Sequence, residues 1–277
     1  MLDGHTSLIA HLGYPTTTFK APLIFNPFFE SLGINAAVVP MGVRAQDFEP
    51  AFRAIFRFSN VRGALVTMPH KVAVVSILDR SSKAVRVAGS CNGVRVEPDG
   101  TLTGDMFDGE GFVRGVARKG RALAGASVLV VGAGGVGSAI AASLAARDVG
   151  RLALSDVDLS RAEALAARLK REYPLLAVVT AASDPAGHDI VVNATPLGMN
   201  RDDPLPFDVA RLAPSTFVGE VVMKEAMTPL LVAARARGCA VQIGVDMLFE
   251  QIPAYLEFFG FPAATPEELR ALARIAY

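Results

Sequence analysis

The sequence predicts a two-domain α/β protein, an open α/β domain followed by a doubly wound parallel sheet, with C-terminal helices returning to the first domain. Apolar runs of strand length alternate with amphipathic stretches of helical period along nearly the whole chain. At 277 residues the chain is long enough for two domains that each bury a core. A strand-like run over residues 128–131 leads directly into Gly132-Ala-Gly-Gly-Val-Gly137 and then into small and apolar residues over 138–146. That is the order of a strand, a glycine turn and a helix.

The first domain is expected to span residues 1–108. Strands are predicted over 7–12, 36–39 and 63–67, and helices over 22–32, 47–58 and from His70 towards Leu78. Two short strands, 92–96 and 101–104, flank Pro98-Asp-Gly100, which reads as a hairpin turn. The second domain, 109–244, continues after the glycine turn with strands at 151–155, 176–180, 190–192, 216–219 and 240–243 and a helix over 160–171. From Met247 the pattern turns helical, with Leu248, Ile252, Tyr255, Leu256 and Phe259 on one face, and Pro266 opens a last helix. Residues 245–277 are expected to complete the first domain.

Composition narrows the function classes. Lys plus Arg equals Asp plus Glu at 27 each, so no global field draws nucleic acid or an anionic membrane, and a small-molecule partner is expected. Cys91 and Cys239 are too few for a disulfide framework and fit a reducing cytoplasm; no export signal is visible at the start of the sequence. Residues 122–146 carry no charge over 25 positions, long enough to span a bilayer, but four glycines within six positions argue against a membrane helix. His5, His11, His70 and His188 form no evident metal cluster, so no metal is expected; His70 reads as a solvated helix-start residue and Cys91 as a packed one. A monomer or homodimer is expected.

The glycine turn points to a dinucleotide. Gly132 permits the tight turn, Gly134 lets backbone approach a pyrophosphate, Gly137 lets the helix pack against the strand, and Gly135 and Val136 open the helix whose N–H groups meet the anion. The tip of the next strand decides the cofactor. Asp156 follows the first glycine at the spacing of a carboxylate that accepts hydrogen bonds from ribose hydroxyls and repels a 2′-phosphate, while Asp158 or Ser160 caps the following helix. The expected cofactor is NAD.

Val66-Thr-Met-Pro-His-Lys71, Ala88-Gly-Ser-Cys-Asn92 and Gly104-Asp-Met-Phe-Asp108-Gly resemble the VTxPxK, GAxN and GxNTDG motifs of the shikimate/quinate dehydrogenase family. Asn193-Ala-Thr-Pro-Leu-Gly-Met199, Thr228-Pro-Leu-Leu231 and Gly244-Val-Asp-Met-Leu-Phe-Glu-Gln251 resemble its downstream segments in the same order. The resemblance implies a Rossmann NAD-binding domain, a cleft between two domains, and hydride transfer between a nicotinamide and a ring carbon bearing a hydroxyl. It puts Lys71 and Asp108 on the catalytic lysine and aspartate, which relay the hydroxyl proton. It puts Thr67, Asn92 and Gln251 on substrate contacts, and Asn193, Thr195, Pro196, Gly244 and Met247 near the cofactor, with Gly132 to Gly137, Asp156 and Val157 holding its other half.

The departures from the family pattern fall in two places. Thr18, Phe19 and Ala21 stand on the histidine and two serines of an HSxSP motif that holds the substrate carboxylate, leaving Thr16, Thr18 or Lys20 as replacement donors. Leu65, Met106, Phe107 and Met223 make the substrate side more apolar than the family's. On the cofactor side, Asp156-Val157-Asp158 replaces Asn-Arg-Thr, so the arginine for a 2′-phosphate is missing, which again favours NAD. Three functions follow: an NAD-preferring dehydrogenase of shikimate, quinate or a related polyol acid, the same chemistry on another alcohol, or a non-catalytic sensor of NAD or a ring acid.

Overall fold

A computed structural model describes residues 2–200, 202–225 and 227–275. These fold as two compact units, one made of Met1–Val85, Gly89–Phe107 and Ile252–Tyr277, the other of Arg86–Ala88 and Asp108–Gln251.

The first unit contains β1 (Ser7–Gly13), α1 (Pro22–Ser31), β2 (Ala36–Gly42), α2 (Phe48–Ile55), β3 (Val61–Val66), β4 (Arg80–Ser81), the first half of α3 (Lys83–Ala88), β5 (Gly93–Val96) and β6 (Leu102–Asp105). The sheet runs β2-β1-β3-β5-β6-β4. It is parallel where α1 and α2 supply crossovers and antiparallel at the β5–β6 hairpin. Phe25, Phe29, Phe48 and Phe52 are fully buried against it, each contributing roughly 1.5–3 kcal/mol by leaving water.

The second unit holds α4 (Asp108–Arg118), β7 (Ser127–Val131), α5 (Gly135–Ala145), β8 (Arg151–Ser155), α6 (Leu159–Glu172), β9 (Ala177–Thr180), β10 (Ile190–Asn193), β11 (Phe217–Glu220), α7 (Pro229–Ala236), β12 (Ala240–Gln242) and the first half of α8 (Gly244–Phe259). Its six strands are all parallel in the order β12-β11-β10-β7-β8-β9. The strand order therefore reverses between β7 and β10, the position at which such sheets bind ligands. The uncharged stretch of 25 residues is divided between β7 and α5, and no helix among the described residues is long and apolar enough to cross a membrane.

Three elements differ from the sequence reading. The helix expected from His70 is only a short 3₁₀ turn, Ala73–Ile77, because Val72, Val74 and Val75 crowd a helical backbone. Helix α3, Lys-Ala-Val-Arg-Val-Ala, falls in a stretch the sequence reading left unassigned. Its ends decide it: Ser82 accepts a hydrogen bond from the Val85 N–H, and Gly89 closes it at φ 67°. The C-terminal return begins at Ile252, midway along α8, rather than at 245. It ends in α9 (Pro266–Leu272), fixed by a capping box between Thr265 and Glu268 and packed on α1.

Candidate functional site

In the second unit, β7 ends in the glycine turn at the switch point. Gly132 has φ 103°, and a Cβ there would lie 2.8 Å from the Ala194 carbonyl on the β10 side, so only glycine fits. A Cβ on Gly137 would collide with the carbonyl oxygen of Gly132, which is how α5 comes so close to the strand. Gly134 and Gly135 face open space, and a Cβ on either would have nothing within 4 Å. Between them they leave a concave backbone edge at a helix N-terminus, which fits a pyrophosphate. Val136 packs back on the core.

The tip of β8 is organised by Asp156. Its carboxylate accepts hydrogen bonds from the Ala133 N–H at 2.7 Å and the Asp158 N–H at 2.9 Å, tying the strand tip to the glycine turn while retaining acceptor sites for a ligand. Asp158 caps α6 by accepting from the Ser160 N–H at 3.1 Å. Val157 is fully exposed.

At the end of β10, Asn193 is buried. Its Oδ1 accepts from the Thr195 N–H at 3.1 Å and Oγ1–H at 2.6 Å, and its Nδ2–H donates to the Leu197 carbonyl at 3.0 Å. Asn193 and Thr195 thus fasten the turn that carries exposed Pro196. Gly244 opens α8 against the Val222 carbonyl, and Met247 lies in the core one turn on. Gln251 is nine-tenths buried, and its Oε1 has no hydrogen-bond partner among the described residues.

Glu220, at the end of β11, is a group the sequence reading passed over; its signal was an acidic residue closing an otherwise apolar parallel strand. It is fully buried and accepts a hydrogen bond from Thr228 Oγ1 at 2.9 Å. Burial pushes its carboxyl up to about 7, against the lowering effect of Thr228 and Asn193. Between its ordinary value of 4.5 and about 7, the folded chain holds a proton that the unfolded chain has released. The contribution of Glu220 to stability therefore falls as pH rises through that window, by up to about 1.4 kcal/mol per pH unit. Glu220→Gln is expected to be more stable than the parent by about 2–3 kcal/mol at pH 8 and similar to it at pH 4. Urea unfolding at the two pH values checks this, and an equal difference at both would reject the buried ionisation.

In the first unit, Lys71 is half-buried, and its carbonyl accepts from the Cys91 N–H at 2.7 Å. Asn92 is buried with its Oδ1 accepting from the Phe107 N–H at 2.8 Å, which orients the amide. Its carbonyl accepts from the Val66 N–H at 2.8 Å and the Tyr255 hydroxyl at 3.3 Å. Thr67, half-buried, continues β3 by donating its N–H to the Leu12 carbonyl at 2.9 Å. Asp108 is 5% exposed and opens α4 in the second unit, so Lys71 and Asp108 belong to different units.

The segment that replaces the carboxylate motif forms the 3₁₀ turn Thr16–Thr18. Thr16 and Lys20 are half-buried, and the side chain of Thr18 lies outside the described residues. Ala21 precedes α1 without a side-chain cap. The ring of Phe19 turns inward and stacks on His11, with centroids 4.0 Å apart and planes at 25°. His70 is not solvated as expected. It is 1% exposed, stacked on Phe48 at 4.1 Å, with Nε2 2.8 Å from the Val43 carbonyl, because the chain after Pro69 turns inward instead of starting a surface helix. Cys91 is packed, its thiol pushed up to about 12 by burial.

Residues 12–94 match the model of the shikimate dehydrogenase substrate binding domain, and residues 115–198 match that of shikimate / quinate 5-dehydrogenase. The chain is 38% identical over 257 residues to a shikimate dehydrogenase (NADP(+)) of Rubrobacter xylanophilus, covering 90% of this chain and 89% of that protein. The chain belongs to the shikimate dehydrogenase family. As a member it is a two-domain oxidoreductase using a nicotinamide dinucleotide and a small-molecule substrate. Among solved family structures, quinate dehydrogenase from Corynebacterium glutamicum in complex with NAD superposes with a TM-score of 0.87 at 31% identity, covering 96% of this chain and 98% of that one. The ligand-free 5-ketofructose reductase of Gluconobacter sp. strain CHM43 superposes with a TM-score of 0.89 at 26% identity, covering 98% of each chain.

Proposed function

We propose that this family member is an NAD-preferring dehydrogenase that oxidises a carbinol carbon of a polyhydroxylated small molecule, reversibly, with Lys71 and Asp108 as its proton relay. Asp156 carries the cofactor reading: held by the Ala133 and Asp158 N–H groups, it offers a fixed carboxylate to ribose hydroxyls and repels a 2′-phosphate. Val157 beside it supplies no cation. Gly134 and Gly135 would receive the pyrophosphate, Gly132, Val136 and Gly137 would shape that turn, and Asn193, Thr195, Pro196, Gly244 and Met247 would line or brace the nicotinamide side. The relative from Rubrobacter is named for NADP(+), and the expected preference here is the opposite. With either cofactor at saturating substrate, kcat/KM for NAD is expected to exceed that for NADP by about tenfold to a hundredfold; a preference for NADP would overturn the reading.

When bound, the nicotinamide supplies the hydride acceptor or donor. The ammonium of Lys71 donates a hydrogen bond to the substrate oxygen, stabilises negative charge as it develops there, and gives or takes the proton. The carboxylate of Asp108 would orient that ammonium. Thr67, Asn92 and Gln251 would bind the remaining hydroxyls.

Two substrate classes suit this chemistry. Shikimate, quinate or a related ring acid follows the family's named activities, with Thr16, Thr18 or Lys20 on the carboxylate. An alcohol or ketone without a carboxylate is favoured by Phe19 and Ala21, which offer no hydroxyl, and by the likeness to a reductase named for 5-ketofructose, an uncharged sugar.

A further inference from the structure

We infer that His11 is the specificity-determining residue of the substrate pocket, donating or accepting one hydrogen bond to an uncharged oxygen of a polyol or hydroxyketone that carries no carboxylate. The inference rests on the proposed dehydrogenase reading and decides between its two substrate classes.

Register places His11 on the sheet face that leads to Thr67, one of the residues proposed above to bind substrate. It pairs with Leu65 in the parallel β1–β3 ladder, so the side chains of His11 and Leu65 leave the same face of the sheet, the face towards which Gly13 would direct a Cβ. That face ends at Thr67, four residues before Lys71. Gly13 makes room there: a Cβ on it would lie 2.9 Å from the tip of the Phe19 ring and collide with the Thr67 methyl. Phe19 thus covers the end of β1 from above, in the sequence position where the family carries a carboxylate-binding serine.

Beneath that ring, His11 is 7% exposed, and its Nδ1 is buried without a hydrogen-bond partner among the described residues. A buried polar atom left unpaired is costly, so its retention beneath the Phe19 ring points to an incoming polar group. The charge of that group follows from the neighbours. Burial and the Lys71 ammonium hold the imidazole down to about 4, so at neutral pH it has one N–H donor, one acceptor and no charge. It suits a hydroxyl or carbonyl oxygen, whereas a carboxylate would lose its hydration against an aromatic ring and a neutral imidazole.

The experiment compares initial rates of the wild-type enzyme with NAD or NADH on neutral compounds (5-ketofructose, fructose, myo-inositol) and on shikimate and quinate. A higher kcat/KM for a neutral compound is expected. His11→Leu, which keeps the bulk, should raise KM for that compound roughly tenfold with a smaller change in kcat, while NAD binding by calorimetry and the unfolding midpoint report that the variant is folded. Phe19→Ser with Ala21→Ser, which leaves His11 in place, should raise kcat/KM for shikimate or quinate. Preference of the wild type for a ring acid, an unchanged KM in His11→Leu, or no gain on ring acids in the double variant each overturns the inference. If ring acids are preferred and Lys71→Ala abolishes their turnover, the dehydrogenase reading survives alone; if neither class is turned over, that reading falls and takes this one with it.

Discussion

Lys71→Ala is expected to lower kcat by about 10²–10⁴ with little change in NAD affinity. The size follows from two roles on one atom. Without the ammonium, an oxygen gaining negative charge must find its proton in water, and the charge itself goes uncompensated in a partly buried setting. Lys71→Met separates these from packing because it keeps the stem, and it should behave like Lys71→Ala. Asp108→Asn should lose less, since it removes the partner that orients the ammonium rather than the proton donor. Stopped-flow single-turnover rates, with cofactor affinity from calorimetry, give the measurement. Activity within a factor of about three of wild type would remove the relay from the mechanism.

Asp156→Ser combined with Val157→Arg is expected to shift cofactor use from NAD towards NADP. The serine removes a carboxylate worth about 1.5–3 kcal/mol to the ribose hydroxyls of NAD, and the arginine adds a planar cation suited to a 2′-phosphate. Together the ratio of kcat/KM for NADP over NAD should rise by about 10²–10⁴. Asp156 also holds the glycine turn through the Ala133 N–H, so the serine variant alone should weaken both cofactors somewhat. Val157→Arg leaves that hydrogen bond intact and should raise NADP use by itself. A ratio unchanged in the double variant would move cofactor choice away from the β8 tip.

The second unit was legible because each of its strands is a short apolar run bounded by turn residues, and its glycine turn has a single conformational solution. The expected strands at 128–131 and 151–155 coincide with β7 and β8. The first unit was harder to read. Helix α3 depended on Ser82 and Gly89 rather than on periodicity. In the second unit, helix α4 went unread since Gly109, Gly111 and Gly115 weaken a helix in isolation; a Cβ on Gly109 would strike the Ala139 carbonyl, so that glycine serves the contact with α5. Motif position singled out Lys71, Asp108 and Asp156 as candidates. His11 and Glu220 were silent because what distinguishes them is burial, and burial of a single polar residue inside an apolar strand is decided by partners far away in sequence.

Those two residues also respond to protons in opposite senses, one in each unit. Held near 4, His11 releases in the folded state a proton that the unfolded chain keeps up to 6.5, so the first unit gains stability as pH rises. Glu220, held near 7, makes the second unit lose stability over nearly the same interval. Between pH 4.5 and 6.5 the two contributions oppose each other, so falling pH relieves the burial cost at Glu220 while rising pH relieves it at His11.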